Sequence, residues 1–376
     1  MQHYYNPVEV YQGAGVLEKL PQVLHNLCVA SQGEVLLIAW SEQVLHDPVI
    51  NALIAGEHGL KVHPLIFSVS NPSVQDLLAL YEQSVNLNIA AIVGIGGGSV
   101  LDVAKSLCCI HGLKLNNVDE LRTAIASKSF AAQFLPWVGI PTTAGTGSEV
   151  TCWATIWDPE LNVKRSVESP LNYAKVALVD TNLSATLPLP LAVSSALDAA
   201  AHAIESYWAR GSNFVSRGLA LEAIATIMEN IDGLFAHDFN AHDAMARGSL
   251  LAGLSFSNTK TTACHSLSYP LTMHYHIPHG VAVSLLLAPV LNINLKAIPE
   301  PQPLLQALRV KDATELQARI TSLLERAQIK PRLSLWGAKE EDLAAIAPQC
   351  ITKGRADNNP VDLDIATITQ ILHTIY

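Results

Sequence analysis

The first half of the chain alternates between short, continuously apolar runs and longer amphipathic ones. EVLLIAW (34–40), KVHPLIF (61–67), IAAIVGIGGG (89–98), FLPWVGIP (134–141), TCWATIWD (151–158) and AKVALVD (174–180) read as strands. A stretch around 42–56, VQDLLALYEQSVNL (74–87) and SVLDVAKSLCCIH (99–111) read as helices between them. Strands that are apolar on both faces and alternate with helices predict a parallel sheet covered on both sides. From about residue 189 the apolar positions recur at helical spacing instead. This holds in LAVSSALDAAAHAIESYWA, SRGLALEAIATIMENIDGLF, AHDAMARGSLLAGLSFS, AVSLLLAPVLNINLK and LDIATITQILHTIY. DTNLSATLPLPLA (180–192) carries the prolines of a hinge, and IPEPQPLL (298–305) reads as a local loop. The pattern predicts an α/β nucleotide-type domain over residues 1–185 and an all-helical domain over 186–376.

Composition narrows the function classes. The 376 residues are 49% apolar and 15% charged, enough for two cores and too apolar for disorder. A net charge of −10 argues against nucleic acid as the main partner, which needs clustered Lys and Arg. The chain has no uninterrupted apolar run of membrane-spanning length, so no membrane association is expected. The N-terminal MQHYYNPVEVYQGAG lacks the features of a signal peptide. The six cysteines (28, 108, 109, 152, 264, 350) are scattered without a CxxC pair, which fits reduced thiols and a cytoplasmic location.

Two small-residue loops follow strands. In GIGGGSVLDVAKS, three glycines (96–98) let backbone approach a ligand, and the helix opening near Ser99 presents unpaired N–H groups to an anion such as a pyrophosphate. The spacing is not GxGxxG, and a plain strand-to-helix turn is the alternative. GIPTTAGTGSEVT (139–151) supplies Thr142, Thr143 and Ser148 hydroxyls beside Gly145 and Gly147. Both loops stand at the C-terminal ends of strands, where open α/β sheets bind ligands.

A second chemistry sits in the helical half. SALDAAAHAIESY puts Asp198 and His202 at i and i+4, on one face of a helix among apolar neighbours. A carboxylate there needs a partner or a metal; a solvated polar pair is the alternative. His265 lies in NTKTTACHSLSYP, which reads as a helix stopped at Pro270, and His279 opens another apolar helix after Pro278. With Asp198 and His202 they would make an N3O donor set suited to Fe2+ or Zn2+, leaving a position for a substrate oxygen. His274 and His276 flank Tyr275 in the connecting segment and read as surface residues.

The motifs GGGSVLDVAKS, IPTTAGTGSEVT, DAAAHAIESY and HSLSYPLTMHYHIPHG, in this order and spacing, resemble the iron-containing (group III) alcohol dehydrogenase family. The resemblance extends over essentially the whole chain. It implies a dehydroquinate synthase-like fold, with a Rossmann-like dinucleotide domain, a helical metal domain and a cleft between them. It also implies NAD(H) or NADP(H), and hydride transfer on a small alcohol or aldehyde. Its metal ligands fall on Asp198, His202, His265 and His279, and its cofactor contacts on Asn71, Gly97, Gly98, Ser99, Asp102, Thr142, Thr143, Thr151 and Lys164. A homodimer is a further expectation of the family.

Two positions depart from the family pattern. Tyr269 stands where many members carry a histidine four residues after the third ligand; Tyr269 and His276 are the candidates for moving the proton. Ser41 stands where members restricted to NAD carry an aspartate, so nothing there repels a 2′-phosphate, although Glu42 follows it. Within the family, TIWD, ESYWARGSNFVSRGLALEAI, NTKTTACHSLSYPLT and GRADNN are similar to phosphonoacetaldehyde reductases. That reading of phosphonate metabolism would place Lys260, Arg165 and Arg355 as cations for a substrate dianion; solvated or ion-paired side chains are the alternative. Another alcohol dehydrogenase, a dehydroquinate synthase-type or glycerol-1-phosphate dehydrogenase-type enzyme, a metal-dependent hydrolase on the same Asp/His site and a non-catalytic metal-binding protein are the rival functions.

Overall fold

The computed structural model describes residues 2–28, 33–130, 134–161, 163–352 and 354–376. The chain forms two compact units. One takes Asn6–Thr143 and Ser148–Leu183. The other takes Ser184–Tyr376, together with Ala144–Gly147 and the stretch ending at Tyr5. The division therefore falls inside the proline-bearing segment, and four residues of the second small-residue loop belong with the helices.

The first unit holds a six-stranded parallel sheet in the order β1-β8-β5-β4-β2-β3. Its strands are β1 (Glu9–Gln12), β2 (Glu34–Ala39), β3 (Val62–Ile66), β4 (Ile89–Gly96), β5 (Trp137–Pro141) and β8 (Val176–Val179). The central strands are buried on both faces. Leu36, Ile38 and Ile92 pack into one apolar layer, and Val35, Leu37 and Val93 into the other, as the two-residue period of a strand requires. Helices α1 (Leu20–Cys28), α2 (Pro48–Ile54), α3 (Val74–Ser84), α4 (Gly98–Ile110) and α5 (Val118–Ser127) complete these layers. Their starts are encoded locally. Asp47 caps α2 ahead of Pro48, Ser73 and Asp76 form a capping box on α3, and Asn117 caps α5.

TCWATIWD was expected to join the parallel sheet. Instead β6 (Trp153–Asp158) pairs antiparallel with β7 (Val163–Glu168) as a separate hairpin. Arg122 on α5 and Arg165 on β7 both bind Asp158 Oδ2, at 2.9 and 2.8 Å through Nε, so ion pairs anchor this hairpin.

In the second unit α6 (Thr181–Ser184) straddles the division, and α7 (Leu189–Trp208), α8 (Phe214–Asn230), α9 (Phe239–Thr259), α10 (Ala263–Tyr275) and α11 (His279–Asn294) follow. Helices α12 (Pro301–Leu308), α13 (Ala313–Arg326), α14 (Leu343–Ile346) and α15 (Ile365–Thr374) complete it around one apolar core. Three expectations change here. IPEPQPLL is mostly helix, since prolines in a first turn lose no intrahelical bond. Pro270 lies inside α10, which continues to a left-handed cap at His276 and takes His274 into its last turn. NTKTTACHSLSYP is not one helix: Lys260, at φ 62° and ψ 179°, ends α9, and α10 starts anew at Ala263. No helix of the described residues is long and apolar enough to cross a membrane.

Candidate functional site

The twenty-residue helix α7 is buried through most of its length, so Asp198 and His202 face protein rather than solvent. Helix α10 brings His265 and helix α11 brings His279 to the same place. His265 Nε2 lies 3.6 Å from Asp198 Oδ1, His279 Nε2 lies 4.0 Å from the same oxygen, and His202 Nδ1 lies 3.9 Å from Asp198 Oδ2. Ligand atoms of Asp198, His202 and His265 all fall within 4.8 Å of one another. Gly280 permits this approach. A Cβ there would stand 3.1 Å from Asp198 Cβ and collide with the Ser194 carbonyl oxygen.

The separations are too long for hydrogen bonds. Asp198 Oδ1, His202 Nδ1 and His265 Nε2 are buried without a hydrogen-bond partner. Buried polar atoms normally have one, because leaving them bare costs about 1–3 kcal/mol each. Three unpartnered ligand atoms from two helices, converging on one point, fit a divalent cation, and carboxylate plus imidazole is a donor set for Fe2+ or Zn2+. Burial pushes the Asp198 carboxyl up, but His202, His265 and His279 outweigh it and hold it well below the usual carboxylate range. Burial also drives the His202 imidazole down to about 4, which keeps its lone pair free at neutral pH. Burial opposes charge on His265 too, yet Glu205 and Asp198 push that ring up to about 10.

The surroundings are asymmetric. His202 stacks on Phe256 with ring centroids 4.2 Å apart, closing one side. The His279 side chain is 36% exposed, against 6% for Asp198, so His279 forms the open side. Tyr269, nearly buried, stacks on His279 at 5.9 Å. His276 caps α10 in an exposed position outside this group. Glu205, which the sequence reading passed over, is fully buried, with one oxygen at His265 Nδ1 and the other at the start of α10. Its signal was present: Asp198, His202 and Glu205 stand at i, i+4 and i+7, on one helix face.

The glycine loop occupies the first unit. Strand order reverses beside β2, whose neighbours are β3 on one side and β4 on the other. The C-terminal ends of β2 and β4 therefore flank a topological switch point. There α4 starts at Gly98 without a side-chain cap. A Cβ on Gly96 would meet Val100 at 2.7 Å and Trp40 at 3.1 Å, so only glycine lets this turn close. Asn71 N donates to Ser99 Oγ at 3.2 Å, Thr142 N donates to the Gly96 carbonyl at 3.0 Å, and Thr143 lies beside Gly97. Asn71, Gly97, Gly98, Ser99, Thr142 and Thr143 thus gather around the N-terminus of α4. The result is a cradle of backbone donors that fits a pyrophosphate.

Three other residues assigned to the cofactor make contacts elsewhere in this unit. Asp102 Oδ1 accepts from Ser148 Oγ at 2.7 Å and Oδ2 from Thr155 N at 2.8 Å. Thr151 Oγ1 accepts from Lys105 Nζ at 2.9 Å, and Lys164 lies over the Trp157 ring at 5.9 Å. Lys105 was also missed. It is fully buried, binds Ser148 Oγ, Thr151 Oγ1 and the Trp153 carbonyl, and is held below the usual lysine range by that burial.

The anion candidates separate. Arg165 is engaged by Asp158, with Nη2 to Oδ2 at 2.7 Å. Lys260 and Arg355 belong to neighbouring segments, because Asn358 Nδ2 donates to the carbonyls of Thr259 (2.8 Å) and Thr261 (3.1 Å), on either side of Lys260.

Comparison with known proteins gives consistent matches. A family model described as iron-containing alcohol dehydrogenase matches residues 7–181, and one for the C-terminal part of the Fe-containing alcohol dehydrogenase family matches 192–376. The sulfoacetaldehyde reductase of Bilophila wadsworthia is 28% identical, over 95% of this chain and 94% of its own length. The choline dehydrogenase of Bacillus subtilis is 30% identical, over 85% and 81%. Among solved structures, sulfoacetaldehyde reductase from Bifidobacterium kashiwanohense in complex with NAD+ superposes with a TM-score of 0.87 at 25% identity, covering 100% of this chain and 98% of that one.

Proposed function

The chain belongs to the iron-containing alcohol dehydrogenase family, and from that premise we propose that it interconverts a short anionic aldehyde and its alcohol, with Asp198, His202, His265 and His279 holding one divalent cation. The observation that carries this reading is the convergence of three bare, buried ligand atoms on one point, with His279 on the exposed side.

A cation so held supplies Lewis-acid polarisation of a carbonyl oxygen, and a reduced nicotinamide supplies hydride. The chain's own residues do the rest. Gly97, Gly98 and Ser99 bind pyrophosphate through backbone N–H groups, so the reactive ring is fixed by binding energy spent far from the reacting carbon. Asn71 and Thr143 shape that cradle, while Asp102, Lys105, Ser148 and Thr151 are hydrogen-bonded together elsewhere in the same unit. Phe256 shields the inner side of the cluster from water. Tyr269 steadies the His279 ring, and its hydroxyl is the candidate in this cluster for passing a proton to the product oxygen. Ser41, in the place of an acid, leaves NADPH acceptable as well as NADH.

For the substrate, we favour phosphonoacetaldehyde, giving 2-hydroxyethylphosphonate. Support comes from the sulfoacetaldehyde reductases among the relatives, which act on an aldehyde with a similarly placed anion. Lys260 adds to it. It is a non-glycine residue in a backbone region almost reserved for glycine, clamped on both sides by Asn358, and strain of this kind concentrates at ligand sites. A panel of phosphono-, sulfo-, carboxy- and unsubstituted acetaldehydes, each tried with NADH and NADPH, tests the reading. The highest kcat/KM should fall on phosphonoacetaldehyde. No preference for an anion would remove the substrate assignment, and no oxidation of either cofactor with any aldehyde would remove the activity.

A further inference from the structure

Helix α10 begins with an unusual debt. Its N-cap, Thr262, makes no side-chain cap, and the first turn of any helix leaves N–H groups without intrahelical partners. A neighbouring helix satisfies them. Glu205 Oε1, from the last turns of α7, accepts from Thr262 N at 3.0 Å, Thr262 Oγ1 at 2.7 Å, Cys264 N at 2.8 Å and, more weakly, His265 N at 3.4 Å. The other oxygen, Oε2, meets His265 Nδ1. Glu205 is completely buried.

An ionised carboxylate only accepts hydrogen bonds, so Nδ1 of His265 must carry the proton in that contact. In the neutral ring this leaves the lone pair on Nε2, the atom that lies 3.6 Å from Asp198 Oδ1 without a hydrogen-bond partner. Building on the metal site proposed above, we infer that Glu205 is the positioning residue of the cluster: one oxygen caps the start of helix α10 and the other fixes the His265 tautomer, so that Nε2 is presented as a ligand. The two tasks share one rigid group, which ties the orientation of the ring to the place where its helix starts. Partners of this kind behind a ligating histidine typically change metal affinity by roughly 10–100-fold when removed.

Glu205→Gln separates the two tasks. The amide keeps one acceptor oxygen for Thr262 and Cys264, but turns an NH2 group toward Nδ1. The ring must then accept there and carry its proton on Nε2, where the ligand lone pair is needed. The experiment measures zinc affinity of the full-length chain by competition with a chelator, for the wild type and Glu205→Gln, along with the melting temperature of each metal-free protein. The expected result is a nearly unchanged metal-free melting temperature and a zinc Kd raised roughly 10–100-fold. Equal zinc affinity in a folded Glu205→Gln would overturn the inference while leaving the metal site intact. A wild type that binds no zinc would overturn the site and the inference together. If the variant does not fold, 15N NMR of the zinc-loaded wild type decides. A proton on Nδ1 of His265 supports the inference, and one on Nε2 refutes it.

Discussion

Asp198 is the residue on which the local chemistry turns, because it is an ionised carboxylate with apolar neighbours along a buried helix and three imidazoles around it. Replacing His202 or His265 by Ala should remove a buried ligand, and metal content and turnover should fall together. The loss of several kcal/mol of transition-state stabilisation corresponds to roughly a thousandfold in kcat. Metal analysis beside steady-state kinetics checks this, and a variant with full metal and full activity would refute the role. Gly280→Ala should cost about 1–3 kcal/mol in urea unfolding, as overpacking does, and weaken metal binding by pushing α11 away from α7. Lys260→Met should raise KM for an anionic aldehyde at least tenfold, while an unsubstituted aldehyde is handled as before; an equal change for both would deny it a role in anion recognition. At this scale the i, i+4 pair in α7 was legible, because spacing alone puts two side chains on one face. Glu205 shares that face by spacing, but its role and that of Lys105 were not legible, since only burial turns an ordinary surface charge into a structural one, and burial is a property of the packed chain.

Elements show the same division between what period encodes and what packing decides. Strands β2, β4, β5 and β8 were legible as apolar runs because both of their faces are covered. Strands β1 and β7 were not, since each is partly exposed, with few apolar side chains to mark it. The break at Lys260 was hidden for another reason: the residue adopts a backbone conformation that its type does not advertise. The β6–β7 hairpin depends on Asp158, whose carboxyl is held at about 2 by Arg122 first and by Arg165, against the opposing effect of burial. Its ordinary value is 3.8, so the native state binds this proton less readily than the unfolded chain does. The stability it contributes is therefore complete above about pH 4 and is lost as pH falls through about 2. Asp158→Asn should lower the urea midpoint at pH 7, and the gap to wild type should narrow below pH 4. A gap independent of pH would show that the ion pairs are not its source.

At the scale of the whole molecule, the apolar period changes near residue 189, and the two units divide between Leu183 and Ser184. The assignment of Ala144–Gly147 to the helical unit was not legible, because a loop of small residues carries no period from which to place it. A ligand that binds only the native state stabilises the whole chain. Saturating zinc or ferrous ion should therefore raise the melting temperature of the metal-free protein, by about 2.7 kcal/mol of unfolding free energy at a free concentration 100-fold above Kd. Calorimetry in the presence and absence of a chelator reads this directly, and identical melting in both would argue against a site in the folded state. The most direct test is a crystal of the metal-loaded protein with data collected at the absorption edge of the metal. One anomalous peak per chain is expected, within bonding distance of Asp198, His202, His265 and His279. A peak bound elsewhere, or none in a crystal shown to contain the metal, would contradict it.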